Sequence, residues 1–342
     1  MQSKPRTQPQ QQQQQYAKPH SQKNLHSFFS ITHPTTVKHK KCFIYVPEMK
    51  SAWFDYTPMD TDIFITTKSS VQLYYRSPVS LSKDLDIQSH LLIPNQTLSV
   101  PLLKSNLQKA IRRGHNHIAI QSAIQLIHLD RTQFLRRLPI IYIEDVCLMD
   151  SFPIVIWLMM AEKHYVLTVC DIDILLHCVN SLCECKKIVS HIDVLPKTYS
   201  HEYLENMNIH TQLLCLYYRS QYGGMHGDMR MLENAIEYYI QNPDSIERTQ
   251  YDCINYREIL QMDIEILVQA IDFHCFPHML SMLEKKTGLD KTVIKDAIWN
   301  AESGYNIRKP ETVERSATYM MNATWRVIYL HLDTVRDLLF SP

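Results

Sequence analysis

Glycine is scarce in this chain, six residues in 342. Phosphate-binding turns of α/β nucleotide folds are built from glycine, so the scarcity argues against such a fold and for packed helices. No G-x-x-x-x-G-K-[ST] sequence occurs anywhere, and the nearest neighbourhood, "EKKTGLDKT", lacks both the glycine loop and a preceding strand. ATP hydrolysis by a P-loop is thereby excluded. Long apolar runs are missing as well: the longest, Phe152 to Ala161, is half the roughly 20 residues that a membrane-spanning helix needs. No apolar h-region opens the chain, so neither a secretory signal nor a membrane association is expected. Acid is absent from residues 1–41, where seven basic residues stand alone before the first carboxylate, Glu48. The formal charge of zero hides this asymmetry, because the remainder holds 28 basic residues against 35 acidic, a net of −7. A basic arm on a mildly acidic body suits an acidic partner surface or nucleic acid.

What is present divides the chain in three. Residues 1–41 are rich in Gln, Pro, Ser, Lys and His, including the run Gln10 to Gln15, and are expected to be a disordered tail. Residues 42–100 carry short β-branched and aromatic runs, "CFIYV", "DIFITT" and "VQLYYR", separated by Pro47, Pro58, Ser69-Ser70 and Pro78; they predict a small strand-containing region. Residues 101–342 are helical in period, with a subdivision expected near 190–200. In "LLKSNLQKAIRRG", Leu103, Leu107, Ala110 and Ile111 share one face and Gly114 suits a helix terminus. The fold expected is mainly α: a multi-helix array with a small N-terminal β-containing region and a disordered N-terminal tail. The nine cysteines, odd in number and scattered through apolar stretches, predict reduced, buried thiols in an intracellular protein.

Within the polar tail, "QKNLHSFF" places a leucine and two adjacent phenylalanines where no core exists to bury them. Gln22-x-x-Leu25-x-x-Phe28-Phe29 resembles the PCNA-interacting peptide, or PIP box, at every defining position. In that family the glutamine enters a small polar pocket, and the leucine and aromatics plug a hydrophobic groove on the sliding clamp. The spacing suits a 3₁₀ turn, which stacks positions i and i+3 on one edge, so Leu25 and Phe28 project together. Lys18 and Lys23 would steer the peptide to an acidic clamp. The partner that the resemblance implies is PCNA, and the compartment the nucleus, with Lys38-His39-Lys40-Lys41 serving as an import signal or a nucleic-acid contact.

Residues 105–161 carry a second resemblance. The stretch is similar to the C-terminal helical region of the RarA/MgsA replication-fork ATPases, relatives of Werner-helicase-interacting proteins. Their pattern is a helix opening "hxKSIRG", a helix of small apolar residues, then "ARR…EDVGhAD". Lys109, Ile111, Arg112, Gly114, Arg136, Arg137, Glu144, Asp145, Val146 and Asp150 match it. Pro139 falls where the family continues its helix, which predicts a kink or a fresh start there. Cys147 replaces the family's glycine, and the ATPase module itself is absent. In that family the region supports self-association, so a homo-oligomer is implied by the resemblance.

The charged residues of this stretch have two readings. Arg136, Arg137, Glu144 and Asp145 predict a structural ion-pair network pinning neighbouring helices, with Arg137 and Glu144 on one helix face. Arg112 and Arg113, in "IRRGHNH", join Lys38, Lys40 and Lys41 as candidates for contact with nucleic acid. "YGGMHGDMRMLENA" holds three of the six glycines and predicts a loop and a helix start, with Asp228 as N-cap. Asp272, His274, Cys275 and His278 in "DFHCFPH" offer metal-ligand types interrupted by Pro277, and Cys178, Cys183 and Cys185 match no zinc spacing. No metal or cofactor is therefore expected. The leading reading is a non-catalytic PCNA-binding adaptor of DNA replication or damage tolerance, DNA being met through the basic tail or the clamp. Its alternatives are a clamp-tethered, metal-dependent nuclease drawing on Glu144, Asp145, Asp171, Asp173, Asp272 and His274, and a helical scaffold whose tail match is accidental.

Overall fold

A computed structural model of the chain describes residues 42–55, 58–65, 71–77, 98–187, 189, 199, 203–204, 211–252, 254, 258–259, 264–273, 276, 278–302 and 322–340. Gln22, Leu25, Phe28, Phe29, Lys38, Lys40 and Lys41 lie outside the described residues, as do His274, Cys275 and Pro277.

The aromatic and β-branched runs form one sheet in the order β2-β1-β4-β3. Strand β1 (Cys42–Val46) pairs antiparallel with β2 (Ser51–Asp55) and parallel with β4 (Gln72–Tyr75), which pairs antiparallel with β3 (Ile63–Ile65). Every residue of β1 is buried. Alternation sends Phe43 and Tyr45 into the core shared with the helices, and Cys42, Ile44 and Val46 against Trp53 and Tyr74 on the other face. The Tyr45 and Trp157 rings stand 5.0 Å apart, and the Trp157 indole donates to the Phe43 carbonyl at 3.0 Å. One face of the sheet and the helices therefore share a continuous hydrophobic core.

Nine helices follow among the described residues: α1 (Val100–Arg113), α2 (Asn116–Asp145), α3 (Phe152–Ala161), α4 (Val169–Glu184), α5 (Thr211–Gln221), α6 (His226–Gln241), α7 (Met279–Thr287), α8 (Lys291–Glu302) and α9 (Ala323–Phe340). None is long and apolar enough to cross a membrane. Helix α1 buries Leu103, Leu107, Ala110 and Ile111 as its periodicity predicts, and ends at Gly114 with φ of 70°, the left-handed conformation that glycine adopts without strain. Helix α3 is apolar all round, and all ten residues are buried. Each of its large side chains contributes about 1.5–3 kcal/mol by leaving water.

Two expectations about helix breaks are corrected. Pro139 lies inside a helical segment, and the break in α2 falls at Asp130, whose backbone is non-helical (φ −157°, ψ 84°). The Asp130 carboxylate accepts the Gln133 amide at 3.0 Å, capping the second segment. The chain thus breaks where a side chain can start a new helix, not where one amide hydrogen is missing. Similarly, within the helical period expected over 101–342, Glu258 and Ile259 are helical, but residues 264–267 are irregular and Val268–Ala270 makes a 3₁₀ turn. The fully buried Asn106 of α1 explains how this segment can be covered. Its amide donates to the Glu265 carbonyl and its oxygen accepts the Leu267 amide, both at 2.9 Å, supplying the backbone partners that a strand would otherwise need.

Candidate functional site

The two halves of the matched pattern meet in space, at the C-terminal end of α1. Arg112, on the last turn of α1, donates from Nε to Asp145 Oδ1 at 2.5 Å, and its Nη2 lies 3.5 Å from Glu144 Oε1. Gln108, one turn earlier, donates to Glu144 at 2.9 Å and to Asp145 at 2.8 Å. The third layer comes from α8: Arg112 Nη1 donates to the Glu302 carbonyl, Lys109 Nζ donates to the same oxygen at 3.0 Å, and Arg113 pairs with the Glu302 carboxylate. Cations thereby gather at the carbonyl end of α8, where the helix dipole is negative.

Burial sets the electrostatics of this cluster. The Arg112 side chain is 7% exposed and that of Asp145 fully buried. Desolvation works against the Arg112 charge, but Asp145 and Glu144 outweigh it and hold the guanidinium above its ordinary pKa. Lys109 lacks such compensation. Burial, with Arg112 close by, brings its ammonium down to about 8, against the pull of Glu302 and Asp272. One oxygen of Glu302, Oε1, is buried without a hydrogen-bond partner.

Arg112 is therefore withdrawn as a nucleic-acid contact, because its guanidinium already serves two carboxylates and a carbonyl inside the protein. Arg113 is held by Glu302, with 22% of its side chain exposed. The four residues expected in an ion-pair network pinning neighbouring helices divide into two groups. Glu144 and Asp145 bond to α1, whereas Arg136 and Arg137, two turns earlier, meet α5 and α6. Arg136 donates to the Tyr222 carbonyl at 3.3 Å. Arg219 of α5, 3% exposed, donates to the Arg136 and Gly223 carbonyls, each at 3.0 Å, leaving its Nε without a partner. Burial, then repulsion by Arg136, lowers the Arg219 guanidinium to about 10. Asp228 supplies the negative charge here. Burial raises its pKa while Arg137 and Arg219 pull it back. It stands in the first turn of α6, and Met225 takes the N-cap position expected for it.

The remaining acidic candidates are held apart by different neighbours. Asp171 caps α4: its Oδ2 accepts the Thr168 amide at 2.7 Å and the Thr168 hydroxyl at 2.8 Å, completing a capping box. The same oxygen accepts Tyr165 at 2.8 Å, and Oδ1 accepts Tyr45 of β1 at 2.7 Å. Burial pushes the carboxyl above its ordinary value, and these hydrogen bonds work against that rise. Asp173 lies 3.6 Å from His177, whose ring nitrogens contact the Asp173 and Asp252 carbonyls at 2.7 Å each. Asp272 neighbours Lys109, and His278 precedes α7. Cys178 packs beside Tyr142 and Ser151, away from Cys185, which faces Cys147. Among the described residues no group of three or more His, Cys, Asp or Glu is placed to hold a metal ion.

The chain matches no family model, no curated protein and no solved structure with which it was compared.

Proposed function

We propose that the protein is an adaptor that docks on the PCNA sliding clamp through Gln22, Leu25, Phe28 and Phe29, and presents its helical body to a second component of the replication or damage-tolerance machinery. The observation that carries this reading is the complete Gln-x-x-Leu-x-x-Phe-Phe spacing inside a stretch of 41 residues that contains no acid. Apolar anchors in such a segment find burial only on a partner. The nuclear compartment follows from the same reading, with Lys38, Lys40 and Lys41 as import or DNA contacts.

The body supports an adaptor over a nuclease. Asp145 and Glu144 are engaged by Arg112 and Gln108, and Asp171 accepts four hydrogen bonds; carboxylates neutralised in this way are poor cation ligands. The joining of Arg112 to Glu144 and Asp145 also supports treating the two halves of the RarA-like pattern as one structural unit.

The test is titration of the purified full-length chain against a PCNA-type clamp by calorimetry. Wild type binds, and Phe28→Ala/Phe29→Ala weakens binding by at least about 30-fold, as loss of a central aromatic anchor does. No binding by wild type, or equal binding by the variant, sinks the proposal.

A further inference from the structure

The crossing point of the exits of α2 and α4 holds two thiols in contact. Cys147 lies two residues beyond α2, and Cys185 is the residue that ends α4; their Sγ atoms are 3.7 Å apart. Both stand outside the helices, where backbone adjustment is easiest, and a disulfide needs the sulfurs to close to about 2.05 Å. All seven described cysteines are free thiols. The two differ in burial: Cys147 is fully buried, whereas Cys185 is partly exposed.

Their surroundings also differ. Cys185 Sγ lies 3.6 Å from the Lys187 carbonyl and beside the Lys187 ammonium, which is itself bound to Glu247 at 2.6 Å. The hydrogen bond shared with Cys147 lowers the Cys185 thiol to about 7, against burial and the Glu247 carboxylate. The same contact, with burial, pushes the Cys147 thiol up. Elsewhere Cys178, Cys183 and Cys215 are buried in the core with their thiols raised by desolvation, and the exposed Cys170 is raised by burial of its sulfur and by Asp171 and Asp173.

We infer that Cys185 and Cys147 form a hydroperoxide-reactive dithiol, in which Cys185 is the attacking thiolate and Cys147 the resolving thiol. The Cys185 thiolate attacks one oxygen of hydrogen peroxide; the S–O bond forms, the O–O bond breaks, and the departing hydroxide takes up a proton to leave as water. Cys147 then attacks the sulfenic sulfur of Cys185. The S–S bond forms, the S–O bond breaks, and the hydroxyl leaves as a second water with the Cys147 proton. Two thiols are oxidised and one peroxide is reduced, and an external dithiol reverses the change. The product ties the exit of α2 to the exit of α4.

Treatment of the full-length chain with hydrogen peroxide, followed by intact-mass measurement and peptide mapping, tests this. A loss of about 2 Da, a mapped Cys147–Cys185 crosslink and reversal by dithiothreitol are expected. Cys147→Ser, which keeps Cys185 and is checked for folding by circular dichroism, should stop at a Cys185 sulfenic acid trapped by dimedone. The rate of Cys185 modification should fall about tenfold per pH unit well below 7. A crosslink between other cysteines overturns the assignment. So does Cys185 labelling no faster than Cys170, or no dimedone adduct on folded Cys147→Ser.

Discussion

Replacing Asp171 by alanine removes the acceptor at which the sheet, the Tyr165 segment and the start of α4 converge. Four donors, the Tyr45, Tyr165 and Thr168 hydroxyls and the Thr168 amide, lose their partner, the first two in a buried site. Each orphaned donor costs about 1–3 kcal/mol, and the lost cap adds about 1 kcal/mol. Rotation of the three hydroxyls and release of a desolvated carboxylate offset part of this, leaving a loss of about 4 kcal/mol. Asp171→Asn retains one oxygen and offers its amide to the Tyr45 oxygen, so its loss is about 1–2 kcal/mol. Urea unfolding at pH 7, followed by circular dichroism, should show the alanine midpoint more than about 1 M below wild type. The pH dependence gives a second reading with a fixed sign. The folded carboxyl is raised above its unfolded value of about 3.9, so the native state binds the extra proton between the two. Stability from this group is full below the unfolded value and declines as pH rises through the folded one. The stability of wild type relative to Asp171→Asn must therefore fall across that window. An alanine variant within about 1 kcal/mol of wild type, or no difference between alanine and asparagine, would refute the argument.

Other predictions concern the cluster at the end of α1. Arg112→Ala strands the buried Asp145 carboxylate and should lower stability by about 3–5 kcal/mol in the same urea assay, whereas Arg112→Met with Asp145→Leu should restore more than half of it. Lys109, lowered to about 8 in the folded chain from an unfolded value near 10.4, is neutral in the native state and charged in the unfolded one between those values. Its contribution therefore makes stability rise with pH from about 8 to about 10.4, and Lys109→Met should flatten that rise.

The helices were readable because their apolar faces are local. The period of α1 and the glycine that ends it lie within one or two turns of sequence, as does the D-x-x-Q pattern at Asp130, a break signal that Pro139 masked. The T-x-x-D capping box at Thr168 is equally local, though no expectation rests on it. That Asp171 also receives Tyr45 depends on a contact spanning 126 residues, which no periodicity reports. Residues 264–267 depart from the expected helical period for the opposite reason: Asn106 offers Glu265 and Leu267 a non-helical set of backbone partners. Helix α8 escaped notice because its apolar stripe is short, Ile294, Ala297, Ile298 and Ala301 among charged neighbours. At the charged cluster, residue types were informative and pairings were not. Arg112, read as facing outward, points inward because α8 arrives 190 residues later to receive it.

That interval has a consequence during synthesis. At about 5–20 residues per second, roughly 10–40 s separate the making of Arg112 from the making of Glu302. Asn106 waits almost as long for residues 265 and 267. Throughout that time the emerging chain holds α1 with Asn106 lacking its partners at residues 265 and 267 and with Lys109 and Arg113 lacking Glu302, together with an apolar α3 that has no polar face to show solvent. The last third of the chain thus acts as the closing piece. A ribosome-bound chain that stalls before α8 remains a client for chaperones, however complete its sheet and first four helices are.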